Sequence, residues 1–343
     1  KPTNNFQFLK MNSISELRRD IVSGEWVVVA TGRAKRPNEF AKDKKRPLKQ
    51  SQKTCPFEKL LPNPLVVYSK DSEWWVQVVT NKYPAFGQHY DTKHTCPRLQ
   101  ENGPYVWMDG TGFHEIIISR DHERNIAEMS DEETELIVRS VQDRYLAIKK
   151  DSCVEYISVI QNHGRGAGAS IAHPHLQLIA IPVIPPDINS SLQGSDRYFK
   201  ENKKCVHCVV IQYELQKKER VVYENKDFLV LAPFAPKSAF EIRVFPKKHS
   251  SRFEDMAVED RYALANALRL SLAKLHQGLK NPDYNLFLHT APTHNGSTHD
   301  HYHWHIEVVP KTSIWAGFEI GTGIEISTIS PESAAKFLKE IKV

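Results

Sequence analysis

Two histidines flank a proline, and a glutamine follows two residues later, in the segment Gly168 to Pro182, GASIAHPHLQLIAIP. Side chains repeat every second residue along a strand, so His173, His175 and Gln177 share one face while Leu176 and Leu178 take the other. A neutral imidazole, with an unperturbed pKa of about 6.5, is a nucleophile available at pH 7. A glutamine beside it is a neutral donor that cannot compete in the attack. The plainer alternative is a half-buried strand that happens to carry two histidines. A second copy argues against it: Tyr302 to Pro310 reads YHWHIEVVP. Aligning Pro182 with Pro310 sets His173 over His301, His175 over His303 and Gln177 over His305.

The elements that must position these residues repeat as well. In the first half, WWVQVVT (Trp74 to Thr80) and FHEIIIS (Phe113 to Ser119) read as strands, and His122 follows the second. Ser130 and Glu133 form a capping box that opens a helix to about Lys149, with Leu136, Ile137, Val141, Tyr145 and Ile148 on its apolar stripe. YISVI (Tyr156 to Ile160) then leads through a glycine-rich loop into the HPHLQ strand. In the second half the order returns as FLVLAP, AFEIRVFP, His249, a helix striped by Leu264, Leu268, Leu272, Leu275 and Leu279, the strand Asn285 to His289, and HYHWHIEVVP. His122 and His249 lie 127 residues apart and His175 and His303 128, the mark of an internal duplication. Each unit reads as a mainly antiparallel sheet with one long covering helix, an α+β arrangement. Residues 14–186 and 205–343 are the two units, and the polar stretch 187–204 is the linker between them.

The 343 residues, 40% apolar and 25% charged, suffice for a sizeable core. No run approaches the roughly 18 apolar residues of a membrane span, and the opening KPTNNFQFLK lacks the apolar region of a secretory signal, so a soluble cytoplasmic protein without membrane contact is expected. The net charge of +5 is mild and densest from Arg33 to Lys49. Arg33 and Arg36 come just past the strand WVVVA, where a fixed backbone presents side chains to a ligand, and a small phosphorylated ligand suits them better than nucleic acid. The five cysteines are an odd set without the dense spacing of a disulfide framework; Cys96 and Cys153 have no partner that spacing identifies and read as core residues. Cys205 and Cys208 form a CxxC, and with His249 and a later histidine they give the S₂N₂ set that tetrahedral zinc prefers. The internal repeat points to His301 as the fourth ligand; Glu307 is an alternative.

HPHLQ has the form H-φ-H-φ-Q-φ-φ and HYHWHIE the full histidine triad. With RAKRP after a strand, CPF before NKYPAF, GFEIG near the end, and the duplication, the chain resembles the galactose-1-phosphate uridylyltransferase family from about residue 15 to 340. That family is the transferase branch of the histidine triad (HIT) superfamily and includes plant-type relatives acting on ADP-glucose. The resemblance implies two tandem HIT-like half-domains, with His175 as covalent nucleophile and Gln177 as donor to a phosphate oxygen. It further implies a phosphate-cradling loop that includes Asn162, Gly168 and Ser170, with Asn81 on the nucleotide and Phe318 and Glu319 on the hexose. Zinc is the implied cofactor, held by Cys55, His122 and His173 in the first half and by Cys205, Cys208, His249 and His303 in the second. Three positions depart from the pattern: Glu58 stands where a second cysteine is usual, Lys82 where some members are acidic, and Ser313 where some have lysine. The implied partners are a nucleoside diphosphate sugar and a hexose 1-phosphate, and the resemblance is compatible with a homodimer. The expected activity is UDP-glucose:hexose-1-phosphate uridylyl transfer by double displacement. An ADP-glucose adenylyltransferase or phosphorylase on the same scaffold is the alternative, and a catalytically silent nucleotide binder is a third reading.

Overall fold

The computed structural model describes residues 15–33, 50–88, 95–293 and 299–343. Strands β1 (Glu16–Arg19) and β2 (Trp26–Val29) form a hairpin, and a 3₁₀ turn at Thr31–Arg33 follows. Next come β3 (Val66–Lys70), β4 (Glu73–Thr80) and the two-residue β5 (Gly87–Gln88). A small hairpin of β6 (Gln100–Asn102) and β7 (Tyr105–Trp107) follows, after which β8 (Thr111–Ser119) begins. The capping box at Ser130 forms in both directions, Ser130 Oγ accepting the Glu133 N–H (3.2 Å) and Glu133 Oε2 the Ser130 N–H (2.9 Å), and α1 runs Asp131–Ile148. β9 (Tyr156–His163) and β10 (His175–Ile181) complete the first half.

The polar stretch 187–204 that joins the two units is largely helical. Helix α2 (Pro186–Asn202) starts with Pro186 in its first turn, and Ile188 and Leu192 bury one side of it. Composition hid this helix because only a few of its residues are apolar. Cys205 is the N-cap of α3 (Val206–Lys217), so the CxxC lies at a helix start, not in a turn like that of Cys55. β11 (Val221–Glu224), β12 (Phe228–Leu231), β13 (Ile242–Pro246), α4 (Asp260–Leu279), β14 (Tyr284–His289) and β15 (His305–Pro310) follow. The chain closes with α5 (Gly317–Thr322), β16 (Ile326–Ser327), which pairs with β2, and α6 (Pro331–Glu340).

The main sheet has the order β11-β12-β13-β15-β14-β9-β10-β8-β4-β3, with β5 alongside β8. Read outward from the central β14–β9 pair, the two halves give the same order, which is the duplication expressed as topology. Every neighbouring pair on this path is antiparallel. α1 and α4 lie together on one face: Arg261 donates to Gln142 (2.6 Å) and Asp143 (3.1 Å), and Gln142 donates to the carbonyls of Glu254 and Met256. The stripe Leu264, Leu268, Leu272, Leu275 and Leu279 is buried throughout, as are Ile137, Val141, Tyr145 and Ile148. A Leu268→Ala substitution should therefore cost about 3 kcal/mol of unfolding free energy, read by denaturant titration, with little change in m-value.

Cys96 and Cys153 are joined by a disulfide, which corrects their reading as unpaired core residues. Their 57-residue separation offers no spacing signal; the 95–107 excursion folds back to meet the chain just past α1. Among the described residues no helix is long and apolar enough to cross a membrane.

Candidate active site

β10 alternates as its sequence predicts. Leu176, Leu178 and Ala180 are buried in the main core, while His175, Gln177, Ile179 and Ile181 form the half-buried opposite face. His175 Nδ1 lies 2.9 Å from the carbonyl oxygen of His173, so its N–H donates there and Nε2 has no hydrogen-bond partner among the described residues. Burial pushes this imidazole below its ordinary pKa, which outweighs the hydrogen bond and keeps the ring neutral. The edge of Phe57 packs against it at 5.3 Å between centroids. Gln177 Oε1 is 2.9 Å from His114 Nε2, and Asn81 Nδ2 is 3.0 Å from the same nitrogen.

His173 is fully buried, and its Nε2–H donates to the carbonyl oxygen of Ser119 at 2.6 Å. Its Nδ1 faces Cys55 Sγ at 3.5 Å and Glu58 Oε2 at 4.0 Å. His122 repeats the pattern, with Nε2 3.0 Å from the Gln50 carbonyl oxygen and Nδ1 2.8 Å from Glu58 Oε2. One ligand atom from each of Cys55, Glu58, His122 and His173 falls within 4.8 Å of the others. Both imidazoles thus spend their protons on backbone carbonyls and turn lone pairs inward, as in metal sites whose outer contacts fix the tautomer. His122 Nδ1 and Glu58 Oε2 are buried, stand 2.8 Å apart and make no hydrogen bond among the described residues. A cation fits that arrangement, with Glu58 supplying the donor that a second cysteine would otherwise provide.

The second group is Cys205, Cys208, His249 and His303, again within 4.8 Å. Cys208 Sγ is 3.3 Å from His249 Nδ1 and 3.5 Å from His303 Nδ1, and His303 Nε2 is 2.9 Å from the Pro246 carbonyl oxygen. The hydrogen bonds that Cys205 accepts, from Cys208 foremost and then from His207, His249 and His303, push it toward the thiolate a metal requires. His303, not His301, therefore belongs to this group, and the register drawn from the prolines is corrected by two residues. His303 matches His173, His305 matches His175 and Glu307 matches Gln177. The same local contact recurs, since His305 Nδ1 lies 3.2 Å from the His303 carbonyl oxygen. The prolines mislead because Pro182 follows the end of β10 at Ile181, whereas Pro310 is the last residue of β15.

The counterpart of the candidate nucleophile is closed off. His305 is 2% exposed, stacks on Phe245 at 4.9 Å and lies 5.1 Å from the His207 ring and 5.0 Å from His289. His289, His305 and Glu307 form a third cluster of donor side chains. Glu307 is paired with Arg243 at 3.0 Å; burial works against its carboxylate, but the guanidinium and the two imidazoles hold it well below the usual range. Burial pushes His289 and His305 down to about 4.

The glycine-rich loop is a 3₁₀ turn at Arg165–Ala167 between Gly164 (φ 82°) and Gly168 (φ 88°), both in the left-handed region that favours glycine. A side chain at Gly164 would collide with Asp283, whereas Gly168 faces open space. The Gly166 N–H donates to Asp283, and Asn285 Nδ2 donates to Asn162 Oδ1 (2.7 Å) and to the Ala167 carbonyl (2.8 Å). Asp283 and Asn285, like His114, are site-building residues that sequence reasoning missed; the signal for Asn285 was its position opposite Asn162 in the repeated strand. Ser170 is exposed. Arg33 ends the first 3₁₀ turn, with its side chain undescribed, and Arg36 lies outside the described residues. Phe318 and Glu319 sit on α5, where Phe318 is exposed and Glu319 accepts the Ala316 N–H; no hydrogen bond or ring contact joins them to β10 among the described residues.

The chain is similar to known proteins over nearly its whole length. Residues 4–185 match the family model of the galactose-1-phosphate uridyl transferase N-terminal domain, and residues 191–342 that of its C-terminal domain. The chain is 34% identical over 339 residues to ADP-glucose phosphorylase of Arabidopsis thaliana, covering 97% of this chain and 94% of that protein. It is 28% identical over 338 residues to galactose-1-phosphate uridylyltransferase of Thermotoga maritima, covering 96% and 99%. The crystal structure of an Arabidopsis thaliana ADP-glucose phosphorylase with bound ADP-glucose superposes with a TM-score of 0.80 at 33% identity, covering 96% of this chain and 100% of that one.

Proposed function

The chain belongs to the galactose-1-phosphate uridylyltransferase family, and from that premise we propose that it transfers a nucleoside monophosphate from a nucleoside diphosphate glucose through a covalent nucleotidyl-histidine at His175. The observation that carries this reading is the bare Nε2 of a neutral, partly exposed His175 whose Nδ1 proton is committed to the His173 carbonyl. Nε2 attacks the α-phosphorus, the bond from that phosphorus to the bridging oxygen breaks, and glucose 1-phosphate leaves. Because the leaving group is a stable phosphate, little acid assistance is required; positioning and neutralisation of charge carry the rate. Gln177 donates to a non-bridging oxygen, and Asn162, Gly168 and Ser170 of the neighbouring loop are assigned to the phosphate, with glycine at 168 leaving open space for its approach. An acceptor phosphate oxygen then attacks the same phosphorus and restores neutral His175.

Zinc is the ion that the Cys55, Glu58, His122, His173 and Cys205, Cys208, His249, His303 sets would hold, and it would serve there as a structural brace. Asn81 is assigned to the nucleotide, and Phe318 and Glu319 to the hexose. Arg33 and Arg36 are assigned to phosphate.

Two donor and acceptor pairs fit this chemistry. UDP-glucose with a hexose 1-phosphate acceptor is the reading the family name carries. ADP-glucose with inorganic phosphate as acceptor, giving ADP and glucose 1-phosphate, is the second reading, supported by the 34% identity to a phosphorylase across nearly the whole chain, and Lys82 in place of an acidic neighbour of Asn81 leaves the choice of base to either. Exchange of labelled glucose 1-phosphate into UDP-glucose and into ADP-glucose separates them, and a difference of 100-fold or more (about 3 kcal/mol) in exchange rate is the expected scale for a site that reads the base by hydrogen bonds. Either reading predicts ping-pong kinetics, so intersecting double-reciprocal lines would exclude the covalent route.

A further inference from the structure

The geometry points to His114 as the positioning residue that sets which way the Gln177 amide faces, and so makes it a donor to the substrate's phosphate; the inference rests on the transfer reading above. β8 and β10 are antiparallel with His114 opposite Ile179 and Gln177 opposite Ile116, which makes His114 and Gln177 diagonal neighbours on one face. His114 is 5% exposed, so the tautomer it adopts is decided by its protein contacts.

Those contacts are directional. The Ala85 N–H donates to His114 Nδ1 at 3.2 Å, which makes Nδ1 an acceptor and leaves the ring proton on Nε2. Two amides stand at Nε2, Gln177 with its oxygen at 2.9 Å and Asn81 with its nitrogen at 3.0 Å. Only Gln177 presents an acceptor, so the Nε2 proton goes to Gln177 Oε1. An amide whose oxygen is held this way must turn its NH₂ to the other side, and that group makes no protein hydrogen bond among the described residues. With the amide reversed, a carbonyl oxygen would face the anionic phosphate, and the attraction would become repulsion.

The backbone holds the relay in place. Asn81 N–H donates to the His114 carbonyl at 2.8 Å, and Asn81 Oδ1 accepts the Tyr83 N–H at 2.9 Å, so the turn after β4 is anchored to the backbone of His114 and, through Ala85, to its Nδ1. On the opposite face of β8, Glu115 is fixed by Arg144 at 2.6 and 2.8 Å. In the second half, Glu241 takes the place of His114 and pairs with Arg243, and Glu307 takes the place of Gln177. A carboxylate has no NH₂ to orient, so the copy without a glutamine also lacks the imidazole.

The test is single-turnover labelling of the intact protein by UDP-glucose and by ADP-glucose, each carrying ³²P in the α-phosphate. His114→Leu should slow label incorporation by about 10- to 100-fold. His114→Gln, which keeps an N–H donor at similar reach and a carbonyl to accept from Ala85, should return to within a few-fold of wild type. In a Gln177→Ala background, His114→Leu should cost less than about 2-fold more, because a residue acting through Gln177 has nothing left to orient. A purely structural role predicts the same loss in both backgrounds and would overturn the inference, as would unchanged labelling in His114→Leu or no recovery in His114→Gln. Wild-type protein that takes no label from either donor would instead overturn the transfer reading, and this inference with it.

Discussion

Replacing His175 with alanine is expected to abolish the nucleotidylated form of the protein and lower glucose 1-phosphate exchange on the order of 10⁴- to 10⁶-fold, the scale seen when a covalent nucleophile is removed. The loss should fall on the rate, with binding of the nucleotide sugar kept, because the side chain meets the substrate chiefly in the transition state. His305→Ala is the control that the duplication supplies. His305 stands in the same place in its own half and makes the same Nδ1 contact to a backbone carbonyl. Its Nε2, however, lies 3.3 Å from Glu307, and Phe245, His207 and His289 close over the ring. Labelling should therefore survive in His305→Ala, at some cost in stability. Label retained in His175→Ala would move the nucleophile elsewhere.

The contrast between those two histidines explains how one strand pattern gave two outcomes. In the first copy the residue two places on is glutamine, neutral and able to donate; in the second it is glutamate, which must be neutralised when buried, and Arg243 does so. The residue at 177 or 307 thus accompanies a half-buried histidine in one copy and a fully buried one in the other.

Much of this was legible in the sequence because it depends on local periodicity. Alternation placed His175 and Gln177 on one face of β10, although His173, expected beside them, falls in the bend before the strand and is fully buried; the Ser130–Glu133 pair marked the start of α1, and leucine spacing marked α4. What failed depended on contacts between distant segments. Proline looked like a register mark, yet one proline lies inside its strand and the other beyond it, so the repeat was set off by two residues. Nothing in a 57-residue separation announces the Cys96–Cys153 disulfide. His114 looked like one polar residue in an apolar strand, and only the pairing of β8 with β10 brings it to Gln177. The helix within the polar stretch 187–204 left no mark in the pattern because a helix needs few buried side chains when one flank faces water, and in α2 Ile188 and Leu192 carry that role.

Metal removal should separate the two halves of the molecule. The protein is expected to carry about two zinc ions per chain, measured by native mass spectrometry or elemental analysis, and a graded chelator should release the first-half ion first. The reason is the ligand set: Cys55, Glu58, His122 and His173 offer one sulfur, whereas Cys205, Cys208, His249 and His303 offer two, and thiolates hold zinc more tightly than a carboxylate oxygen does. Loss of the first-half ion frees His173, whose carbonyl fixes the tautomer of His175, so nucleotide labelling should fall while the fold persists. Loss of the second-half ion releases the start of α3 from β15 and from the turn after β13, and a site of this type contributes on the order of 10 kcal/mol to its folded unit, so thermal stability should drop sharply. Cys208→Ser should reproduce that drop without metal removal. Glu58→Cys should reverse the effect in the first half, tightening its ion enough to bring the two release steps together. A protein that holds no zinc when prepared without chelator, or whose two ions leave in the opposite order, would show that the buried lone pairs of His122 and Glu58 are satisfied in some other way.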